Sequence, residues 1–363
     1  MVKATSTILI MAGGTGGHVF PALAVAEELR VHGHQIQWLG TRHGLEAELV
    51  PRAGFSINYI SVKGLRGNGL LGWVLAPFQL SLALWQTLSI FQRIRPSVVL
   101  GMGGFVTGPG GVVSWLLRKP LVVHEQNAIP GLTNRWLAKF ATRVLEAFPE
   151  SFKKPVLAQH TGNPVRKLIT AITSPQERYA SHKGPIRLLI IGGSLGAQSL
   201  NEMVPAAIAT LDKKLCPQIW HQAGKQKNIS TERRYDECKR EARVEPFIVN
   251  MAEAYAWADL VICRAGAMTV SELSNVGLAS ILVPYPHAVD DHQTANAHYL
   301  SDANAAILIQ HVDLSVAHLG AVLQELLLAG RPRLLEMANA ARHLSKPDAT
   351  QAVAQICLEV VRE

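Results

Sequence analysis

The chain has 363 residues, enough for two domains, and its 48% apolar and 17% charged composition excludes a disordered or low-complexity protein. Its net charge of +8 is uneven: the first 160 residues carry 15 Lys and Arg against 7 Asp and Glu, and the remainder carries 20 of each. An anionic partner of the first half is expected, phosphate groups or a membrane surface rather than nucleic acid, because no compact basic run with interleaved aromatics occurs.

Thr7–Ala12 reads as a buried strand, followed by the turn GGTGGH and a helix over Pro21–Val31. Gln35–Leu39, Ile57–Ile60, Val98–Gly101, Leu121–His124 and Arg143–Ala147 read as further strands. The pattern then restarts. Arg187–Ile191 is a strand, followed by GGSLG and a helix from about Leu200, then strands at Ile219–Gln222, Phe247–Val249, Leu260–Cys263 and Ile281–Val283. Short apolar strands alternating with helices imply parallel βαβ units, so the fold class is α/β with two Rossmann-like domains. Ligands of such sheets bind beyond the carboxyl ends of the strands, which predicts a central cleft faced by both sheets. The punctuation Gly162-Asn163-Pro164-Val165 marks a hinge. It predicts a first domain over 1–162, a second over 163–345, and a C-terminal helix over 346–363 that packs back on the first.

Four cysteines, Cys216, Cys238, Cys263 and Cys357, lie far apart without a Cys-x-x-Cys, which fits a reducing compartment and no structural zinc. The apolar run near the start is too short for the core of a signal peptide. Between Arg66 and Arg93 no residue is charged. That stretch is long enough to span a bilayer. Strands on either side of it should share one sheet, however, and both flanks are basic, so contact with a membrane surface is the better expectation. An ordinary buried helix is the plainer alternative.

Gly13-Gly14-Thr15-Gly16-Gly17-His18 joins a strand to a helix, where glycines allow close approach and a helix N-terminus favours an anion. The dinucleotide pattern G-x-G-x-x-G fails at Val19, and Gly40-Thr41-Arg42 stands where an acidic ribose ligand would follow strand two, so an NAD enzyme is not expected. His18 at the tip can serve as a general base or bond locally. Gly192–Gly196 repeats the logic, with Ser194 as a phosphate donor or a helix cap. Arg264–Glu272 gives a third helix start. Glu272 could accept from vicinal hydroxyls, or only complement the helix dipole. His124-Glu125-Gln126-Asn127 would line a cleft at a strand end, or satisfy its own loop. His287, Asp290, Asp291, His292 and Gln293 are rich in donors and acceptors but match no zinc spacing, so hydrogen bonding to a hydroxylated ligand fits better than metal.

GGTGGH, GMGGFVTGPG, HEQN, GNPVR, GGSLGA, CRAGAMTVSE and HAVDDHQTANA, in this order from residue 5 to the end, resemble the MurG family of GT-B glycosyltransferases. The resemblance implies inverting transfer of GlcNAc from UDP-GlcNAc to the MurNAc 4-hydroxyl of the undecaprenyl-pyrophosphoryl-MurNAc-pentapeptide acceptor, lipid I, giving lipid II. The reaction belongs to peptidoglycan synthesis at the cytoplasmic face of the bacterial inner membrane, with peripheral attachment and no metal or other cofactor. It further implies that His18 is the base and that Thr15, Gly16, Gly17, Asn127 and Arg166 line the substrates. Ser194 would hold the pyrophosphate, Ile248 the uracil, Glu272 the ribose and Gln293 the GlcNAc hydroxyls. Ala267, Met268, Thr269, Val270 and Ser271 would bring a helix N-terminus to the phosphate. Trp73, Phe78, Trp85 and Trp115, flanked by Arg118 and Lys139, would form the membrane patch. Another UDP-sugar GT-B enzyme such as a UDP-GlcNAc 2-epimerase, a non-catalytic UDP-sugar sensor at the membrane and an integral membrane protein are the alternatives. An epimerase needs no apolar patch, and a sensor would keep its output without His18.

Overall fold

A computed structural model describes residues 5–62, 69–193 and 196–362, with side chains undescribed at 69–76, 289 and 362. Two compact units are formed, one of Met1–Arg166 with Pro347–Glu363, the other of Lys167–Lys346. In the first, the order is β1 (Thr7–Met11), α1 (Gly16–Val31), β2 (Gln35–Gly40), α2 (Glu46–Arg52), β3 (Ser56–Tyr59) and α3 (Gly69–Ile94). It continues with β4 (Val98–Gly101), α4 (Thr107–Leu116), β5 (Leu121–Glu125), α5 (Leu132–Leu137), β6 (Arg143–Glu146) and β7 (Ala158–His160). In the second come α6 (Lys167–Thr170), α7 (Pro175–Ser181), β8 (Arg187–Ile191), α8 (Gln198–Ala209), β9 (Gln218–Gln222), α9 (Asn228–Glu237) and β10 (Arg243–Glu245). Then follow α10 (Met251–Trp257), β11 (Leu260–Cys263), α11 (Ala267–Val276), β12 (Ala279–Leu282), α12 (His292–Ser301), β13 (Ala306–Leu308) and α13 (Val316–His343). The last helix is α14 (Ala349–Arg362).

The first sheet runs β3-β2-β1-β4-β5-β6-β7 and the second β10-β9-β8-β11-β12-β13, both parallel throughout. Strands such as β1, β8 and β11 are Val, Ile and Leu runs because helices cover both faces, leaving no face for polar alternation. In the first unit one apolar face packs under α1 and α14, the other under α3, α4 and α5. The closing helix contributes buried Val353, Ile356, Cys357, Leu358 and Val360 to the core of the first unit. Each such aliphatic side chain contributes about 1.5–3 kcal/mol by leaving water.

Three sequence expectations shift. The strand placed at Phe247–Val249 is β10, Arg243–Glu245. Pro246 ends the pairing with β9, and Phe247 and Val249 are exposed. The first helix starts at Gly16 rather than Pro21, since the extended Thr15 begins it one turn earlier and Pro21 lies inside. The changeover between units falls at Arg166–Lys167, because 161–165 are buried in the first unit and Gly162 and Asn163 are hydrogen-bonded to the HEQN loop.

Candidate active site

Chain order reverses between β1 and β4, and the turns that follow these two strands meet at the carboxyl edge of the first sheet. Met102 N–H donates to Met11 O at 2.8 Å and Gly13 N–H to Gly103 O at 3.3 Å. A Cβ at Gly104, whose φ is +89°, would overlap the Gly13 carbonyl, so the two turns close only because Gly104 lacks a side chain. Thr15 begins α1 without a side-chain cap, leaving the opening N–H groups of Gly16 and Gly17 outside the helical ladder. Glu46, fully buried, braces the same turn. Its Oε2 accepts from Gly14 N at 2.9 Å, and its Oε1 accepts from Thr41 N and Oγ1 at 2.9 and 2.8 Å. The carboxylate missing from the end of β2 therefore arrives a few residues later and faces backbone, not a ribose.

His18 projects from the first turn of α1. Its ring lies over the α-carbon of Gly103, where a Cβ would stand 2.6 Å from Nδ1. Nδ1 is 2.9 Å from Gln126 Oε1; Gln126 Nε2 is 3.1 Å from His124 Nδ1, and His124 Nε2 is 3.0 Å from Gly162 O. His124 is fully buried, and burial pushes its pKa down to about 4, so it is neutral at ordinary pH. Glu125 organises the loop: Oε1 accepts from the Asn127 N–H and Nδ2, and Oε2 from Gly131 N and Asn134 Nδ2. Arg166 places its guanidinium 5.6 Å from the Phe20 ring centre. Gly103→Ala should displace the His18 ring and strain a residue at φ +97°. Turnover should fall about 10-fold or more with donor affinity unchanged, as steady-state kinetics and donor calorimetry would report.

In the second unit the reversal lies between β8 and β11. Ser194 and Leu195 lie outside the described residues. Around them Gly193 has φ +79° and Gly196 has φ +69°, and a Cβ on Gly196 would overlap Ala223 O. Gln222 at the end of β9 donates to Gly193 O at 2.8 Å and accepts from Ile248 N at 3.3 Å, tying the glycine turn to Ile248. Gly266 begins α11, so the N–H groups of Ala267, Met268 and Thr269 open at its start, and Met268 and Thr269 are half-buried. Val270 and Ser271 turn inward, and the Val270 N–H already bonds to Gly266 O. Glu272 Oε2 accepts from Tyr255 Oη at 2.9 Å, and Gln293 Oε1 accepts from Tyr285 N at 2.9 Å. Among the described residues no three His, Cys, Asp or Glu are grouped to hold a metal ion.

The first unit also exposes a strip of apolar side chains. Phe78, Leu82 and Trp85 share one face of α3, with Trp115 and Leu116 on α4 and Leu132 and Trp136 on α5. These helices neighbour one another, α3 against α4 and α4 against α5. Lys139 Nζ lies 4.2 Å from the Trp136 ring centre, and Arg118 and Lys119 follow α4 directly. The side chain of Trp73 lies outside the described residues. Among the described residues no helix is long and apolar enough to cross a membrane.

Sequence reasoning missed Glu46, Gln222 and Tyr255 as site residues. It placed Gln126 in the polar run after β5 and Gly103 in the motif GMGGFVTGPG, but gave neither a part beside His18.

Residues 8–146 match the N-terminal domain of glycosyltransferase family 28, and residues 187–353 match its C-terminal domain. A UDP-N-acetylglucosamine–N-acetylmuramyl-(pentapeptide) pyrophosphoryl-undecaprenol N-acetylglucosamine transferase of Nitrosococcus oceani is 54% identical, covering 97% of this chain and 98% of its own. The protein of that name from Alkalilimnicola ehrlichii is 53% identical, covering 99% and 100%. The crystal structure of Acinetobacter baumannii MurG is 39% identical with a TM-score of 0.86, covering 98% of this chain and 99% of that one. The chain belongs to glycosyltransferase family 28, with the two Rossmann-like units of the GT-B class.

Proposed function

We propose that the chain transfers N-acetylglucosamine from UDP-N-acetylglucosamine to N-acetylmuramyl-(pentapeptide) pyrophosphoryl-undecaprenol, converting lipid I to lipid II. The observation that carries this is 50–54% identity, over 97–99% of the chain, with relatives bearing that name. In our reading His18 takes the proton of the muramyl 4-hydroxyl. The hydroxyl oxygen attacks the anomeric carbon from the face opposite UDP, the bond to the β-phosphate oxygen breaks, and the configuration inverts. Charge gathers on the departing diphosphate. The N–H groups that open α11, the glycine turn with Ser194, and the Arg166 guanidinium supply the balancing positive ends, as preorganised dipoles do. Glu272, steadied by Tyr255, accepts from the ribose hydroxyls. A uracil carbonyl would take over the Ile248 N–H from Gln222, and Gln293 offers its amide Nε2 to the sugar. Thr15, Gly16 and Gly17 line the donor and acceptor side of the reaction, and Asn127 reaches the donor.

The enzyme acts peripherally, with the strip on α3, α4 and α5 against the cytoplasmic surface of the membrane. Exposed aromatic side chains beside Arg118, Lys119 and Lys139 support this, since each cation near an anionic surface contributes about 1 kcal/mol. Trp85→Ser combined with Trp136→Ser should weaken binding to anionic lipid vesicles about 10²-fold, from the apolar area withdrawn from the membrane. Turnover of a water-soluble acceptor analogue should be unchanged. Equal vesicle binding by the variant, measured by sedimentation, would move the membrane contact elsewhere.

The reaction itself is tested by transfer of labelled N-acetylglucosamine to a lipid I analogue, with and without EDTA. Product under both conditions is expected. Loss with EDTA would overturn the account of the leaving group. Donor binding without transfer would overturn the acceptor.

A further inference from the structure

We propose that Gln126 and His124 fix the tautomer of His18, so that its Nδ1 carries the proton and its Nε2 the lone pair that receives the proton of the acceptor hydroxyl. The catalytic use of this lone pair rests on the reading of His18 as the base. The tautomer itself does not.

The assignment runs inward from a backbone carbonyl. Gly162 O can only accept, so His124 Nε2, 3.0 Å away, bears a proton. His124 is buried and neutral, so its Nδ1 is an acceptor. The group facing Nδ1 must therefore donate, which makes it Gln126 Nε2, at 3.1 Å. The same Nε2 is 3.1 Å from His124 O, a second acceptor. A flipped amide would set oxygen against both. Gln126 Oε1 is thereby turned to His18 Nδ1 at 2.9 Å, and a carbonyl oxygen there requires Nδ1 to be N–H.

The arrangement is stiff at each link. Gln126 is 1% exposed, and its own carbonyl accepts from Asn163 Nδ2 at 3.0 Å. The His18 ring rests on the bare α-carbon of Gly103, so it cannot swing that way without leaving Gln126. The link is also uncharged. A carboxylate in place of the Gln126 amide would favour the imidazolium and empty the lone pair of its capacity at neutral pH. An amide orients the ring without setting a charge beside it. When Nε2 takes the hydroxyl proton, Nδ1–H still donates to Gln126 Oε1, so the imidazolium forms without rearrangement. Gln126 and His124 are positioning residues, since neither reaches the reacting atoms.

The test is a histidine-selective ¹⁵N NMR measurement on the full chain at about pH 8, where a histidine of ordinary pKa is neutral. The His18 signal is identified by its absence in His18→Gln. Protonated Nδ1 is expected in the natural protein. Protonated Nε2 would overturn the proposal without any variant. In Gln126→Met the proton should move wholly or partly to Nε2, and kcat should fall about 10-fold with KM for UDP-N-acetylglucosamine unchanged. A folded Gln126→Met with unaltered tautomer and unaltered kcat would overturn the proposal. If His18→Gln retains turnover, the base reading fails, and the tautomer measurement still decides the relay by itself.

Discussion

His18→Gln binds UDP-N-acetylglucosamine with the affinity of the natural protein and turns over about 10²–10⁴-fold more slowly, the usual worth of a positioned general base. Glutamine is the informative replacement. Its amide fills most of the imidazole's volume and can still donate to Gln126 Oε1, so the start of α1 and its contact with Gly103 survive while the basic nitrogen is lost. Donor affinity is expected to hold because Ile248, Glu272, Gln293 and the N-terminus of α11 belong to the second unit, built on its own sheet and its own core. Calorimetry with the donor and kinetics with a lipid I analogue separate the two effects. Turnover within a few fold of the natural protein would hand proton removal to another group. Donor affinity lost in parallel with kcat would point to damage of the fold.

The sheets were largely legible in the sequence, and the site much less so. Strands such as Val98–Gly101 and Leu260–Cys263 announce themselves because both faces are covered, which demands an unbroken apolar run. β7 and β13, three residues each at sheet edges, leave too short a run to register. Glycine turns were legible as composition, and so was the basic, apolar half that carries the exposed strip. The partners of the turns were not. Glu46 reaches Gly14 across 32 residues, and Gln126 reaches His18 across 108. Gln222 meets Ile248 across 26, and Tyr255 meets Glu272 across 17. Such pairings depend on strand order and register, which bring distant loops to one edge. No local periodicity encodes them. The inward turn of Val270 and Ser271 likewise follows from the phase of α11 against its sheet, whereas in the motif they stand beside Met268 and Thr269 as equals.

Acid should begin to destabilise both units above the range where carboxylates protonate, because each holds a buried neutral histidine. His124 lies in the first unit with its pKa lowered to about 4, and His221 in the second with its pKa lowered to about 3, burial being the main cause in each. His221 sits in a closed network: Tyr235 Oη donates to Nδ1 at 2.9 Å, Nε2–H donates to Asn201 Oδ1 at 3.1 Å, and Asn201 Nδ2 donates to Ala223 O at 2.9 Å. That carbonyl is the one against which Gly196 packs, so the network supports the glycine turn of the second unit. In the unfolded chain both histidines take a proton near pH 6.5. Above that pH neither state is protonated and the full stability is present. Below it the unfolded chain binds protons that the folded chain refuses, so stability falls as pH drops, until the folded groups protonate near 4 and 3. Each histidine contributes a slope of ~1.4 kcal/mol per pH unit inside its window. Against a stability on the order of 5–15 kcal/mol, the loss of several kcal/mol by pH 4 is large. Urea unfolding at pH 8, 6.5, 5 and 4 should show a nearly constant midpoint at the first two and a steep fall at the last two. His221→Gln, which cannot titrate, should be less stable at pH 8 and should lose less on going to pH 4. An unfolding midpoint that stays level from pH 6.5 to 4 in the natural protein would mean that the folded interior accepts these protons, and that the neutral forms are not what holds the two networks together.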